Sequence, residues 1–232
     1  MAALPLLLST CGLPVGGEEA LPPLSRYLQL DGTQLDLRAT SVVDEDFEQL
    51  ADPAFARVTS VLLARTAVGD AALEHLRHLR VTEIDLYRTA VTDAGLANLR
   101  EVPLERLTLT GTAITDAGLT HLRDLPLAVL ILRDTGITDA GLGALGGLPL
   151  RSLDLSYTQV TDSGLSQLSR LSRLENLNLS NTETTNEGLH HLEQLPELSA
   201  VNLSATRVTP EGVARLRAAR PDVHVSVELP TR

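Results

Sequence analysis

The stretch LERLTLTGTAITDAGLTHL, residues 104–122, decides the fold, because its apolar residues recur every second position at first and every third position later. Leu107 and Leu109 differ by two and face one side of a strand, while Arg106, Thr108 and Thr110 face the other. Leu119, Leu122 and, just beyond the stretch, Leu125 differ by three, which places them on one side of a helix. Neither element is long enough to bury its apolar face alone. Such a unit needs copies of itself on both sides.

Self-comparison finds those copies. A Thr column runs through Thr40, Thr66, Thr89, Thr112, Thr135, Thr158, Thr182 and Thr206, with steps of 23 or 24 residues after an initial 26, which makes eight repeats. Each Thr closes the pattern L-x-x-L-x-L-x-x-T, as in Leu174, Leu177, Leu179 and Thr182, and opens x-V-T-D-A-G-L-x-x-L, as in Val91, Thr92, Asp93, Ala94, Gly95, Leu96 and Leu99. Stacked repeats lay both apolar sets into one core between a parallel sheet and a row of helices.

Over about residues 33–229 the pattern resembles the leucine-rich-repeat family. Its T-D-x-G-L half is similar to the cysteine-containing subtype of F-box proteins and related bacterial effectors, with Thr in place of that subtype's Cys or the wider family's Asn. The resemblance implies an α/β fold class, a right-handed leucine-rich-repeat solenoid with a curved parallel sheet on one face and short helices on the other. It further implies a protein-interaction scaffold that binds a partner through the outward face of the sheet.

The expected organisation is an N-terminal tail over 1–17, an N-terminal cap over 18–34, eight repeats over 35–219 and a C-terminal cap strand over 220–232. Leu28-Gln29-Leu30 and Leu35-Asp36-Leu37 flank Asp31-Gly32, a hairpin signal that would cover the first strand edge. Arg220-Pro221-Asp222 breaks the last helix, and Val223, Val225 and Val227 alternate as a final strand. Pro210 favours the first helical position, so Thr209 is its N-cap, and by register Thr92, Thr115, Thr138 and Thr161 cap the other helices. The small hydroxyls of the main Thr column are expected to satisfy backbone groups between adjacent turns.

Composition narrows the function. With 30 acidic residues against 19 basic ones the net charge is −11, which disfavours nucleic acid as a partner. All the basic residues are Arg and Lys is absent, a codon usage that points to a GC-rich, bacterial genome. Cys11 is the single cysteine, so neither an internal disulfide nor a cysteine-based zinc cluster is expected. It follows the apolar run from Ala2 to Leu8, which reads either as a clipped lipoprotein signal or as an apolar tail, and leaves localisation open between cytoplasm and cell envelope. No run reaches the roughly 18 to 20 apolar residues of a membrane span. A monomer without cofactor is expected.

Candidate chemical sites have plain structural readings. Asp70, Asp93, Asp116, Asp139 and Asp162 form a column that invites calcium, but acids are favoured in a helix's first turn by the dipole, so capping is the expected role. His75, His121 and His191 share one helical column on the outer face without the close spacing of metal ligands. No nucleophile-elbow, phosphate-loop or dinucleotide motif is present, so the chain is expected not to be an enzyme. Asn178-Leu179-Ser180 and Asn202-Leu203-Ser204 match a glycosylation pattern that the repeat itself generates.

The outward sheet positions are what the fold leaves free. Tyr87, Arg106, Ile131 and Arg133 supply an aromatic, two guanidiniums and an aliphatic residue, types enriched where proteins bind, and are the candidate partner-binding residues. Later repeats show a small polar run, Ser152, Asp154, Ser156, Asn176, Asn178 and Ser180. An alternative is a surface-anchored envelope lipoprotein with a structural role. A third, a ubiquitin-ligase adaptor, rests only on the F-box flavour of the repeats, and about 30 residues precede the first repeat, too few for an F-box.

Overall fold

The computed structural model describes residues 23–228. Cys11 and the apolar run before it lie outside the described residues. Nine strands of three residues each pair in sequence order into one parallel sheet: β1 (Gln34–Asp36), β2 (Ser60–Leu62), β3 (Glu83–Asp85), β4 (Arg106–Thr108), β5 (Val129–Ile131), β6 (Ser152–Asp154), β7 (Asn176–Asn178), β8 (Ala200–Asn202) and β9 (His224–Ser226). The register advances by one repeat per strand, so Leu107 lies beside Ile84 and Leu130. This is the solenoid of parallel sheet and short helices that the family resemblance implies.

Each strand is followed by a turn and a short helical segment on the opposite side of the core. In the middle repeats that segment is one α-turn: α1 (Asp93–Leu96), α2 (Asp116–Leu119), α3 (Asp139–Leu142) and α4 (Asp162–Leu165). A 3₁₀ turn follows each, such as Thr120–Leu122. The i,i+3 spacing of Leu119, Leu122 and Leu125 suits three residues per turn, and all three are buried. The first two repeats have no α-turn, only 3₁₀ over Asp44–Ala51 and Ala72–His78, and there Val43 and Gly69 stand where the later repeats carry Thr. Toward the end come α5 (Leu189–Leu192) and the longest helix, α6 (Pro210–Ala219).

The N-caps fall where predicted. Thr92, Thr115, Thr138 and Thr161 accept from the N–H two residues on, and Thr209 from Gly212. The Asp column does more than complement a dipole. Each carboxylate reaches into the next repeat: Asp93 Oδ1 accepts the Thr115 N–H at 2.8 Å and Oδ2 accepts the Thr115 hydroxyl at 2.5 Å. Asp70, Asp116, Asp139 and Asp162 hold Thr92, Thr138, Thr161 and Thr185 in the same way. The hydroxyl thus donates backwards to one repeat and accepts forwards from its own helix.

Asn186 takes the carboxylate's place in the last clasp, accepting the Thr209 N–H and donating to its hydroxyl oxygen, both at 3.0 Å. The hydroxyl proton is then released from its backward bond. A hydrogen bond from Thr209 is the leading reason the Glu211 carboxyl lies below its ordinary value.

The main Thr column departs from expectation. Each hydroxyl donates to the carbonyl three residues earlier in its own turn, from Thr40 to Leu37 through Thr206 to Leu203, at 2.6–3.0 Å. The hydroxyl closes its own bend rather than bridging two repeats, because the bend leaves that carbonyl without a ladder partner. Just before each Thr the backbone is left-handed, at Ala39, Arg65, Arg88, Gly111, Asp134, Tyr157, Asn181 and Ala205. From Ala39 to Asn181 these residues donate their N–H to the next repeat, as Arg88 does to Thr110 at 2.9 Å.

The ends are closed by different means. Gly32 at φ 73° turns the chain so that Leu28 makes an antiparallel bridge to Leu35, a minimal form of the hairpin. Phe47 and Phe55 bury beside it. At the far end Arg220 donates to the carbonyls of Leu195 at 2.8 Å and Leu198 at 3.0 Å, so one guanidinium satisfies the open loop of the preceding repeat. Asp222 in turn bonds Arg220 and is thereby held below the ordinary aspartate value.

The clasp explains the glycine column as well. A Cβ on Gly118 would stand well inside contact distance of Asp93 Oδ1, whereas one on Gly147 would meet nothing. Gly118→Ala is expected to cost about 1 to 3 kcal/mol of stability by overpacking, and Gly147→Ala none. Thr115→Val, which loses the cap and strands a carboxylate oxygen, is expected to cost about 1 to 2 kcal/mol, with Thr115→Ser close to neutral. Denaturant midpoints of the four variants check this, and equal midpoints for the two glycine variants would contradict it.

Candidate binding face

The first and third residues of every strand face away from the core, and the middle one is buried. Two outward columns therefore run across the sheet, with a third at the position just past each strand. That third column is more enclosed than the sequence implies. Thr110, Ser156 and Ser180, expected on the outward side, are buried, while Tyr87 and Arg133 in the same column are half-buried. The left-handed residue that follows bends the chain back over this position, so only long side chains emerge.

The four candidate residues fall into separate places on this face. Arg106 opens β4 and lies beside Glu83 of β3, with Nε 3.4 Å from Oε1, an exposed pair worth at most about 1 kcal/mol. Tyr87 donates its N–H to Asp85 at 2.9 Å, and its ring is flanked by the guanidiniums of Arg65 at 5.5 Å and Arg88 at 5.4 Å. Arg133 lies over the Tyr157 ring at 4.2 Å and bonds the Ser156 hydroxyl. Ile131 ends β5 and borders a shallow groove. Tyr87 and Arg133 thus share the rim of the sheet, while Arg106 stands at the opposite end of its strand.

The groove has a volume of about 290 Å³ and crosses β5 to β9. It is lined by Ile131 and the small polar run, Ser152, Asp154, Asn176 and Asn178, with Asn202 beyond. It forms there because Ser, Asn and Ala leave space that Arg and Glu fill upstream. Several of its polar groups are already committed: Asp154 accepts the Ser156 N–H at 2.8 Å and an Asn178 amide hydrogen at 3.0 Å. Asn178 and Asn202 each accept the N–H two residues on, so both glycosylation-like asparagines serve as turn locks.

Arg65, Arg88 and Tyr157 escaped the sequence reading because they occupy the left-handed position, which alternation along the strand does not mark. Gly111 and Asn181 in the same column were the available signal, since these residue types tolerate positive φ.

The helical side carries no convergent chemistry. Among the described residues no group of three His, Cys, Asp or Glu is placed to hold a metal ion. In the Asp column both oxygens of each carboxylate already serve a neighbouring Thr. Burial, helped by His190, pushes the His191 imidazole below its ordinary value. No helix among the described residues is long and apolar enough to cross a membrane.

Comparison with known proteins bears on the fold. The family described as Leucine Rich repeat matches residues 149–169. No curated protein matches the sequence. Among solved structures, an internalin C2 of Listeria monocytogenes aligns with a TM-score of 0.69 at 24% identity, over 89% of this chain and 93% of its own. A second internalin of that organism aligns with a TM-score of 0.62 at 22% identity, over 86% of this chain and 54% of its own. A chain from an octameric complex of Latrophilin 3, Unc5D and FLRT2 aligns with a TM-score of 0.53 at 19% identity, over 76% of this chain and 54% of its own.

Because the aspartates are engaged in clasps, calcium and chelators are expected to leave the melting temperature unchanged. A metal bound only by the folded state must raise stability by mass action. A shift of several degrees with calcium, reversed by chelator, would overturn the structural assignment of the column.

Proposed function

This chain is a leucine-rich-repeat protein, and from that premise we propose that it is a binding scaffold which takes a protein partner on the outward face of its sheet, at Tyr87, Arg106, Ile131 and Arg133. Leucine-rich-repeat proteins are as a rule binding scaffolds rather than enzymes, and the fold supports that general role. The observation that carries the finer reading is the contrast between the two sides. The helical side spends its Asp, Thr and Gly columns on holding repeats together. The sheet side carries large side chains that the core does not require.

Those side chains suit recognition. Arg pairs with carboxylates bidentately, and Tyr contributes area at low entropic cost. Arg106 would exchange its exposed Glu83 pair for a partner's group at little cost, since that pair contributes little. Ile131 offers an apolar contact at the mouth of the groove.

The test compares wild type with Arg106→Ala/Arg133→Ala in capture from the native organism. The double variant is expected to lose most of the captured partner while keeping its melting temperature, because both side chains lie outside the core. Arg123→Ala/Arg215→Ala on the helical side serves as the control. Gln167 does not, since its amide bonds the Asp139 carbonyl of the preceding repeat at 2.7 Å. Loss of partner by the helical-side variant with retention by the sheet-side variant would refute the choice of surface.

A further inference from the structure

Beside the groove the sheet ends in a rim of left-handed residues, including Arg65, Arg88, Gly111, Asp134 and Tyr157. Each holds its place by donating its N–H to the following repeat, as Arg65 does to Tyr87 at 2.7 Å, Asp134 to Ser156 at 3.0 Å and Tyr157 to Ser180 at 3.0 Å. The rim is therefore built on the hydrogen-bonded ladder rather than on a free loop. Bulky residues at positive φ cost about 1 to 2 kcal/mol each, so Arg and Tyr here are an expense that stability does not explain.

Two cation–aromatic units stand on this rim. Tyr87 lies between Arg65 and Arg88, and Tyr157 lies under Arg133. Arg65, Arg88 and Arg133 form no ion pair among the described residues, although the chain carries a net charge of −11. Stacking occupies the face of a guanidinium and leaves its in-plane N–H donors available. The neighbouring carboxylates are turned to their own backbone, Asp85 to the Tyr87 N–H and Asp154 to the Ser156 N–H. Asp134 is the one carboxylate on the rim between the units.

The spacing defines a ligand. Tyr87 follows β3 and Tyr157 follows β6, so the units are three strand spacings apart, about 14 Å at about 4.8 Å per spacing. Four residues of extended chain, at about 3.4 Å each, cover that distance. Between the units Thr110 is buried and Gly111 has no side chain, which leaves a low saddle. The Arg88 stem leans into it, since a Cβ on Gly111 would lie 3.0 Å from Arg88 Cγ.

We propose that the rim formed by Arg65, Tyr87, Arg88, Arg133 and Tyr157 binds an extended acidic segment of a partner protein, with two carboxylates four residues apart seated on the two units. This deepens the scaffold reading above and rests on it. Charge complementarity selects the occupant: three unpaired guanidiniums match a few carboxylates, while a nucleic acid would meet the repulsion of a strongly acidic chain.

The test uses the full chain and a fluorescent Asp-Ser-Ser-Ser-Asp peptide at low salt. Controls are a peptide with its two aspartates adjacent, the lysine counterpart and a five-nucleotide thymidine oligomer. The spaced acidic peptide is expected to bind most tightly, about tenfold more weakly to Arg88→Gln/Arg133→Gln, and to weaken as salt rises. Gly111→Asn keeps every charge and tolerates positive φ but displaces Arg88, so it should also weaken binding severalfold. Arg123→Ala, on the helical side, should change it less than about twofold.

Equal binding to wild type and to a double glutamine variant with unchanged melting temperature would overturn the proposal. So would preference for the lysine peptide or the oligonucleotide. If the peptide fails while capture of the native partner still depends on Arg106 and Arg133, the rim assignment falls and the scaffold reading stands. If the peptide binds as described but capture ignores the sheet face, the scaffold reading of that patch falls instead.

Discussion

A solenoid has no contacts between its ends, so its integrity depends on how each repeat grips the next. In this protein the sheet ladder joins the repeats on one side, and on the helical side the polar grip is a carboxylate that accepts both the N–H and the hydroxyl of a Thr one repeat later, as Asp93 does with Thr115. The apolar layers of Leu and Val provide most of the burial, but they are nondirectional and would tolerate sliding. The clasp is directional. It also accounts for three columns at once: Asp supplies two acceptors, Thr supplies two groups to meet them and a lone pair for its own helix, and Gly supplies the space in which the carboxylate sits.

With the helical side committed to this bonding, the sheet side is free to vary. Upstream it holds Arg, Glu and Tyr in stacked or paired arrangements. Downstream, where Ser, Asn and Ala predominate, it opens into a groove. The two regions offer different chemistries to one approaching molecule, cationic and aromatic at the rim, neutral and polar in the groove, with Ile131 between them. Preorganisation favours binding here, because both regions rest on short strands paired along their whole length.

Much of this was legible in the sequence. Thr209 before Pro210 marked a helix start, and the two apolar periods marked sheet and helix sides. The Asp column was recognised, but its partner was not, because a dipole argument considers one helix while the bond crosses to the next repeat. Sequence separation offered the missing signal: Asp93 and Thr115 are 22 residues apart, one short of the repeat. Arg106 looked free for the same reason, although a 23-residue repeat places Glu83 directly beside it. The rim was hidden because a bond to the following repeat imposes the left-handed conformation, so Arg, Asp, Tyr and Ala occupy it beside Gly111 and Asn181 and the column shows no uniform residue type.

The clasps all point the same way along the chain. A carboxylate reaches forward, so the start of each helix is completed by the repeat before it and never by the one after. A chain that emerges N-terminus first therefore presents each new Thr to an acceptor that is already in place, whereas the left-handed residue of each repeat waits for its carbonyl in the next. Losing the last repeat leaves every earlier cap intact and strands Asn186, a neutral side chain that water can satisfy, together with the Asn181 N–H and the carbonyls of Leu195 and Leu198. Losing the first releases the anchor that Asp44 gives Gly69 and leaves the second repeat, which has no Thr cap of its own, without support. The polarity of one hydrogen bond thus makes the start of each helix dependent on what precedes it.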